Sequence, residues 1–350
     1  MPLQSQNKQK IAYLASLCTL FSLAENALPH FLPFFKLGLS NIPLLFALSL
    51  LSAKEYLLLG LLKWFISNLF SGLLFSYFGL FSLLSTLASV LVMLISYTAL
   101  KTKLSCFGYS LLGACTSNVV QLSLASLYLK VSLINLLPYF LLFSIITSII
   151  TAYFSYKIQC PTVFPKIENT SIQQREKYLF LFPLVALLTV PFNHSVITLS
   201  VSFLLALSLQ LYIKRKIKFS YYLIIFFVTL LLSSFNGEGE ILFLSFTIQS
   251  LEQGAIKALT LLTLVALSQS ISYLIPIKEG LIGTTIAYSG LLIATFEEQT
   301  GSLKQRLNSI FSTKEFQERP TRPLLKLNLV PILILSLSII LCFCLSIVIN

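Results

Sequence analysis

The sequence predicts an all-α polytopic integral membrane protein, and three observations predict it. Hydrophobic residues make up 56% of the 350 and charged residues only 10%, against roughly a quarter charged in an ordinary soluble domain; the mean hydropathy is +0.88. Apolar runs of the roughly 17–25 residues that a helical crossing needs recur along almost the whole chain. None of them shows the alternating pattern of an outer-membrane barrel strand.

Hydropathy and punctuation place helices near residues 9–29, 36–53, 55–77, 80–100, 106–129 and 133–157. The first run follows Lys8 and Lys10. It outlasts a signal-peptide apolar region and has only a poor small-residue site near Ala24 and Ala27, so an uncleaved first helix is expected. The polar link "KIQCPTVFPKIENTSIQQREK" mixes Pro161 and Pro165 with charges and amides. It divides the chain into a membrane domain at 1–157, a linker at 158–177 and a second membrane domain at 178–350. Further runs follow near 178–191, 195–213, 219–235 and 254–277.

With the N-terminus cytoplasmic, Lys54, Lys101, Lys103 and the link all fall inside, as the positive-inside rule requires; Lys130 alone falls on the wrong side. The same reading puts "KRKIK" (214–218) inside and "NHS" and "NGEGE" outside. A full crossing by 280–296 would export the Lys/Arg-rich segment beginning "EEQTGSLKQR". That run is therefore expected in or under the inner leaflet, with 297–315 as an amphipathic cytoplasmic helix and Pro331 to Asn350 as the last crossing. The location expected is the cytoplasmic membrane, multi-pass.

Several function classes are disfavoured. All twelve acids are glutamate, which leaves no aspartate-rich motif for a magnesium diphosphate, and there is no GxxxxGK[ST] phosphate loop. Catalysis on a prenyl diphosphate, ATP hydrolysis by this chain and a bound cofactor are not expected. Cys18, Cys106, Cys115, Cys160, Cys342 and Cys344 have no CxxC spacing, and only His30 and His194 accompany them; they read as small packing residues rather than metal ligands. The net charge of +12 is spread over short loops, which suits a lipid surface and not nucleic acid.

Polar residues then mark the candidate site. In "ENALPHFLPFFKLGLSNIP", Glu25, Asn26, His30, Lys36 and Asn41 lie at or near bilayer depth among prolines and a glycine. Lys63 sits within the third run, and Asn118 and Gln121 share one face of the fifth, with Ser117 beside them. A lysine at a helix centre costs about 3 kcal/mol on insertion scales, so Lys63 needs a function or a buried carboxylate partner, for which Glu25 is the obvious candidate. Asn118 and Gln121 fit either interhelical hydrogen bonding or ligand contact. Lys36 and Asn41 fit either an interfacial anchor or a ligand site. Ala12 and Ser16 form a small-xxx-small pair on the first helix.

The opening stretch together with "FGYSLLGACTSNVVQLSLASLYL" resembles the Gx transporter family, long labelled heptaprenyl diphosphate synthase component I. The resemblance rests on "KLGLSN" (36–41), Gly113–Ala114, "NVVQ" (118–121) and Pro138, and covers about residues 9–157. It implies the six-helix fold of the substrate-binding S components of energy-coupling factor (ECF) transporters, with Glu25, Asn26, Lys36, Gly38, Asn41, Lys63, Asn118 and Gln121 lining or bracing a ligand site near the outer face. The chain departs from the family pattern at Lys63, Ser40 and Ser117, where arginine, alanine and histidine are usual. Lysine keeps the charge but loses the bidentate fork, and serine loses a titratable ring.

The second half, from "NGEGEILF" through "SLEQGAIKAL" and "LSQSISYLIP" to "LLIATFEEQTGSLKQRLNSIF", resembles a T component, the transmembrane coupling subunit. The coupling motif is reduced to Arg306, and the resemblance implies that Glu297, Glu298 and Arg306 sit in the coupling region. The same segment also reads as a basic amphipathic stretch on anionic lipid. The resemblance implies an S-like domain fused to a T-like domain with cytoplasmic coupling helices, dependent on separate ECF-type ATPase subunits. Its substrate would be small, mostly apolar and vitamin-like or isoprenoid-like, moved by rocking of the substrate domain. A non-catalytic accessory subunit of polyprenyl diphosphate or quinone synthesis is the rival reading. A secondary transporter is a third, opposed by the dissimilarity of the halves.

Overall fold

The computed structural model describes residues 2–26, 38–157, 178–215, 217, 219–234, 241–243, 246–275, 280–298 and 328–349. Twelve α-helices run through them. Among the described residues five helical stretches are long and apolar enough to cross a membrane: Tyr77–Leu100, Cys106–Leu129, Ile134–Ser155, Gln249–Leu274 and Leu329–Val348. The protein is a multi-pass membrane protein.

The first half contains α1 (Pro2–Asn26), α2 (Ile42–Ala47), α3 (Ala53–Ser71), α4 (Tyr77–Leu100), α5 (Cys106–Leu129) and α6 (Leu137–Lys157). Local chemistry sets several boundaries. Ser52 and Glu55 form a capping box at the start of α3, and Gly72, at φ +76°, ends that helix. Ser76 and Ser105 accept the backbone N–H of Gly79 and Gly108 at the starts of α4 and α5. Packing runs α1–α3–α4–α5–α6–α2 and back to α1, so the six elements close a ring.

The expected helix over 36–53 is corrected. Among its described residues the 3₁₀ turn Leu39–Asn41 and α2 are the helical part before α3 begins at Ala53, about 14 Å of rise, far short of the roughly 30 Å hydrocarbon core. Left-handed Gly38 precedes them and the Ser52 cap begins a new helix soon after. The segment nonetheless travels the length of α1. Gly38 meets Glu25 near one end, and Glu55 meets Asn7 near the other, about 27 Å apart along the helix.

The second half holds α7 (Leu181–Thr189), α8 (Val196–Tyr212), α9 (Phe219–Ser234), α10 (Ile248–Leu274), α11 (Leu281–Glu298) and α12 (Leu329–Ile349). A short antiparallel ribbon pairs Ile241–Phe243 with Phe246–Thr247. The central α10 packs on α7, α8 and α9, while α12 packs on α7 and α8. Leu199, Ala206, Leu209, Ile225, Leu261 and Val265 fill the core between them. The helix α11 leaves this group and lies along α1, where Leu292 and Tyr288 cover Ala12, Tyr13, Leu17 and Leu20.

Two turns at one end of the ring meet the flank of α10. Phe75 N–H donates to Ser268 Oγ at 2.9 Å in the α3–α4 turn. At the end of α5, Lys257 Nζ donates to Leu129 O at 2.6 Å and Tyr128 OH to Lys257 O at 3.1 Å. Ser268 and Lys257 are eleven residues apart, about 16 Å of helix, so α10 reaches from one of these turns to the other across the end of the ring. The expected sidedness, followed helix by helix, would put the α3–α4 turn outside and "KRKIK" inside, yet Gly72 stands against Arg215. The physical cause is apolar: Leu73 and Phe78 belong to the same buried cluster as α8 and α10.

Candidate functional site

One cluster forms where α1, the turn before α2 and the middle of α3 converge. Glu25 is buried, and its Oε1 accepts the N–H of Gly38 at 2.8 Å. Gly38 takes φ +82°, a left-handed conformation that costs a side-chain-bearing residue about 1–2 kcal/mol. That turn presents Asn41, whose Oδ1 accepts from Lys63 Nζ. Lys63 is itself buried. The predicted carboxylate and lysine therefore join one cluster through the Gly38–Asn41 turn. A charge-assisted hydrogen bond of this kind contributes about 1.5–3 kcal/mol, comparable with the cost of placing the lysine at that depth.

A second group lies on α5. Asn118 donates to Ser144 Oγ at 2.7 Å and to Phe140 O at 3.3 Å, both on α6. Gln121 Nε2 donates to Ser85 Oγ on α4 at 3.2 Å and to Ser117 Oγ at 3.3 Å. Asn68 of α3 reaches Ser82 on the same face of α4 at 3.5 Å. The result is a belt of amides and hydroxyls through α3, α4, α5 and α6. Among the described residues Gln121 Oε1, Ser67 Oγ and Ser148 Oγ are buried in the ring without a hydrogen-bond partner. Each such atom costs about 1–3 kcal/mol in an apolar setting, which a small ligand or water with complementary groups would relieve. Gln121 also lines a small cavity with Leu133, Phe140 and, from the second half, Leu232.

Of the predicted residues, Glu25, Gly38, Asn41 and Lys63 thus form one cluster, and Asn118 and Gln121 share the neighbouring belt. No contact links the two groups directly among the hydrogen bonds described. Asn26 ends α1, but its side chain lies outside the described residues, as do Lys36 and His30. The side chains of Glu297 and Glu298 and the whole of Arg306 likewise lie outside them; of the expected amphipathic helix over 297–315, residues 297–298 end α11 and the rest lies outside the described residues. Sequence reading missed Ser82, Ser85 and Ser144. Their signal was present: Ser82, Ser85 and Ser89 on α4, and Ser144, Ser148, Thr151 and Ser155 on α6, recur at helical spacing and are all buried. No group of three or more His, Cys, Asp or Glu that could hold a metal ion occurs among the described residues.

Residues 14–158 match the family model for heptaprenyl diphosphate synthase component I. The match covers less than half of the chain and includes both polar groups. No curated protein and no solved structure matches the chain. The likeness of residues 178–350 to a T component has no counterpart in these comparisons.

Proposed function

We propose that the chain is the membrane component of an energy-coupling factor type importer. The first half captures a small molecule with a mostly apolar body and a small polar head, and the second half couples that capture to separate ATPase subunits. The observation that carries this reading is the buried Glu25–Gly38–Asn41–Lys63 cluster, whose charges and amides sit beside a hydroxyl-rich belt in a closed ring of helices. Such convergent polar groups in an apolar frame suit ligand recognition. Packing of α11 on α1 supports a mechanical link between the halves, and Leu232 gives the second half a share in the cavity wall. In this reading Asn26, Lys36, Asn118 and Gln121 complete the ligand site, and Glu297, Glu298 and Arg306 belong to the coupling region.

The test is purification of the tagged protein in mild detergent, with mass spectrometry of bound proteins and small molecules, beside an Arg306→Glu variant. Walker-motif ATPases should accompany the wild type and be lost from the variant. The family match favours a second reading, an accessory subunit of polyprenyl diphosphate synthesis. Recovery of a soluble aspartate-rich synthase without ATPases would establish that reading and sink the importer.

A further inference from the structure

Arg215 lies in the turn between α8 and α9, beside Lys214, which takes φ +58°. Its guanidinium reaches two backbone carbonyls from different halves of the chain. Nη1 donates to Gln269 O on α10 at 2.6 Å, and Nη2 to Ser71 O, on the last residue of α3, at 3.4 Å. A helix leaves its last carbonyls without intrahelical donors and carries partial negative charge at that end, so the end of α3 is a natural seat for a cation. Among the described residues no carboxylate pairs with Arg215. Burial lowers its pKa from the ordinary arginine value, yet a guanidinium stays charged. Among the described residues its charge is met by these carbonyls.

The seat is rigid on the α10 side. Gln269 Oε1 accepts from Gln210 Nε2 and Tyr222 OH, each at 3.1 Å, and Gln210 Nε2 also donates to Ala266 O at 2.9 Å. On the α3 side the fit requires a glycine. A Cβ on Gly72, already at φ +76°, would fall 2.6 Å from Gln269 Cγ, 2.8 Å from Arg215 Nη2 and 2.9 Å from the Gln269 backbone.

We propose that Arg215 is a latch between the two halves, pinning the end of α3 to α10 so that α3 and the second half move as one body. Lys63 stands on the same helix, eight residues or about 12 Å from Ser71, so the latch sets where the buried lysine is held. Arg215 is a positioning residue. The value of the latch to transport rests on the importer reading, whereas its existence does not.

The experiment is hydrogen–deuterium exchange on the full-length protein in detergent, comparing wild type with Arg215→Met and Arg215→Lys. The α3–α4 turn should be protected in the wild type, because Phe75 N–H is bonded to Ser268. In Arg215→Met, peptides spanning 71–76 should exchange about tenfold faster while those of α1 and α11 stay unchanged, with Arg215→Lys between the two. Exchange within about twofold of wild type in Arg215→Met overturns the latch. If Arg215→Met loses protection throughout, Arg215→Lys decides: faster exchange confined to 71–76 supports the latch, and unchanged or global exchange overturns it. The purification described above is run on the same variants. Absence of ATPases with local release at 71–76 leaves the latch standing and removes the importer.

Discussion

Asn41 shows how one side chain reconciles a charge with its surroundings. Its Oδ1 accepts from Lys63 Nζ, so Asn41→Ala should lower stability by about 1.5–3 kcal/mol, read from thermal unfolding in detergent. A loss below about 0.5 kcal/mol would mean the lysine is satisfied elsewhere. Gln121 makes the opposite case. It already carries an unpartnered Oε1, so Gln121→Leu should change stability by no more than about 1 kcal/mol, because removing a buried orphan acceptor offsets the lost serine contacts. If Gln121 serves the ligand, the same variant should abolish small-molecule retention on purification. A protein that unfolds and one that merely stops binding are then told apart by two assays on one sample. At this scale much was legible in the sequence, because polar residues in apolar runs announce themselves. Lys63 and Glu25 were visible as a charge in need of compensation, whereas the Gly38–Asn41 turn that joins them depends on a left-handed φ that no spacing rule reveals.

Between elements, close approach decides. A Cβ on Gly60 of α3 would fall 2.9 Å from Val90 Cγ2 of α4. In a free helix Gly→Ala gains about 1 kcal/mol. Here the overlap with a short, stiff valine reverses the sign, and Gly60→Ala should destabilise by about 1–3 kcal/mol. Adding Val90→Ala should recover part of that loss, which a double-mutant cycle measures; strictly additive losses would show that the contact does not limit the α3–α4 distance. Helix positions were largely readable from hydropathy and caps, as the agreement at 106–129 and near 133–157 illustrates. The segment at 36–53 was not, because its apolar content is that of a spanning helix while Gly38, Pro43 and the Ser52 cap break it into pieces.

The whole molecule was the least legible scale. Charge bias sorts loops by side under the assumption that every helix is upright, and it carries no information about α10 reaching across the end of the ring. The contacts responsible join residues 128 to 193 positions apart, and they are made by apolar side chains and by polar side chains bonded to backbone groups. The α1–α11 pairing was equally hidden, although the small residues Ala12 and Ser16 marked α1 as a surface for close packing. It predicts that residues 1–157 produced alone will be less thermostable than the same ring in the full chain, because α1 loses the cover of Tyr288 and Leu292. Equal melting temperatures in the same detergent would show that α11 is dispensable to the ring.

That pairing also sets an order in time. The rings of Tyr13 and Tyr288 end 6.1 Å apart, edge to face, but the second is translated long after the first. At about 5–20 residues per second, α1 waits on the order of tens of seconds for its partner to leave the ribosome. During that interval the face of α1 bearing Ala12 and Leu17 meets lipid or an insertion chaperone instead of protein. α1 is thus made long before the face it turns to α11 is enclosed.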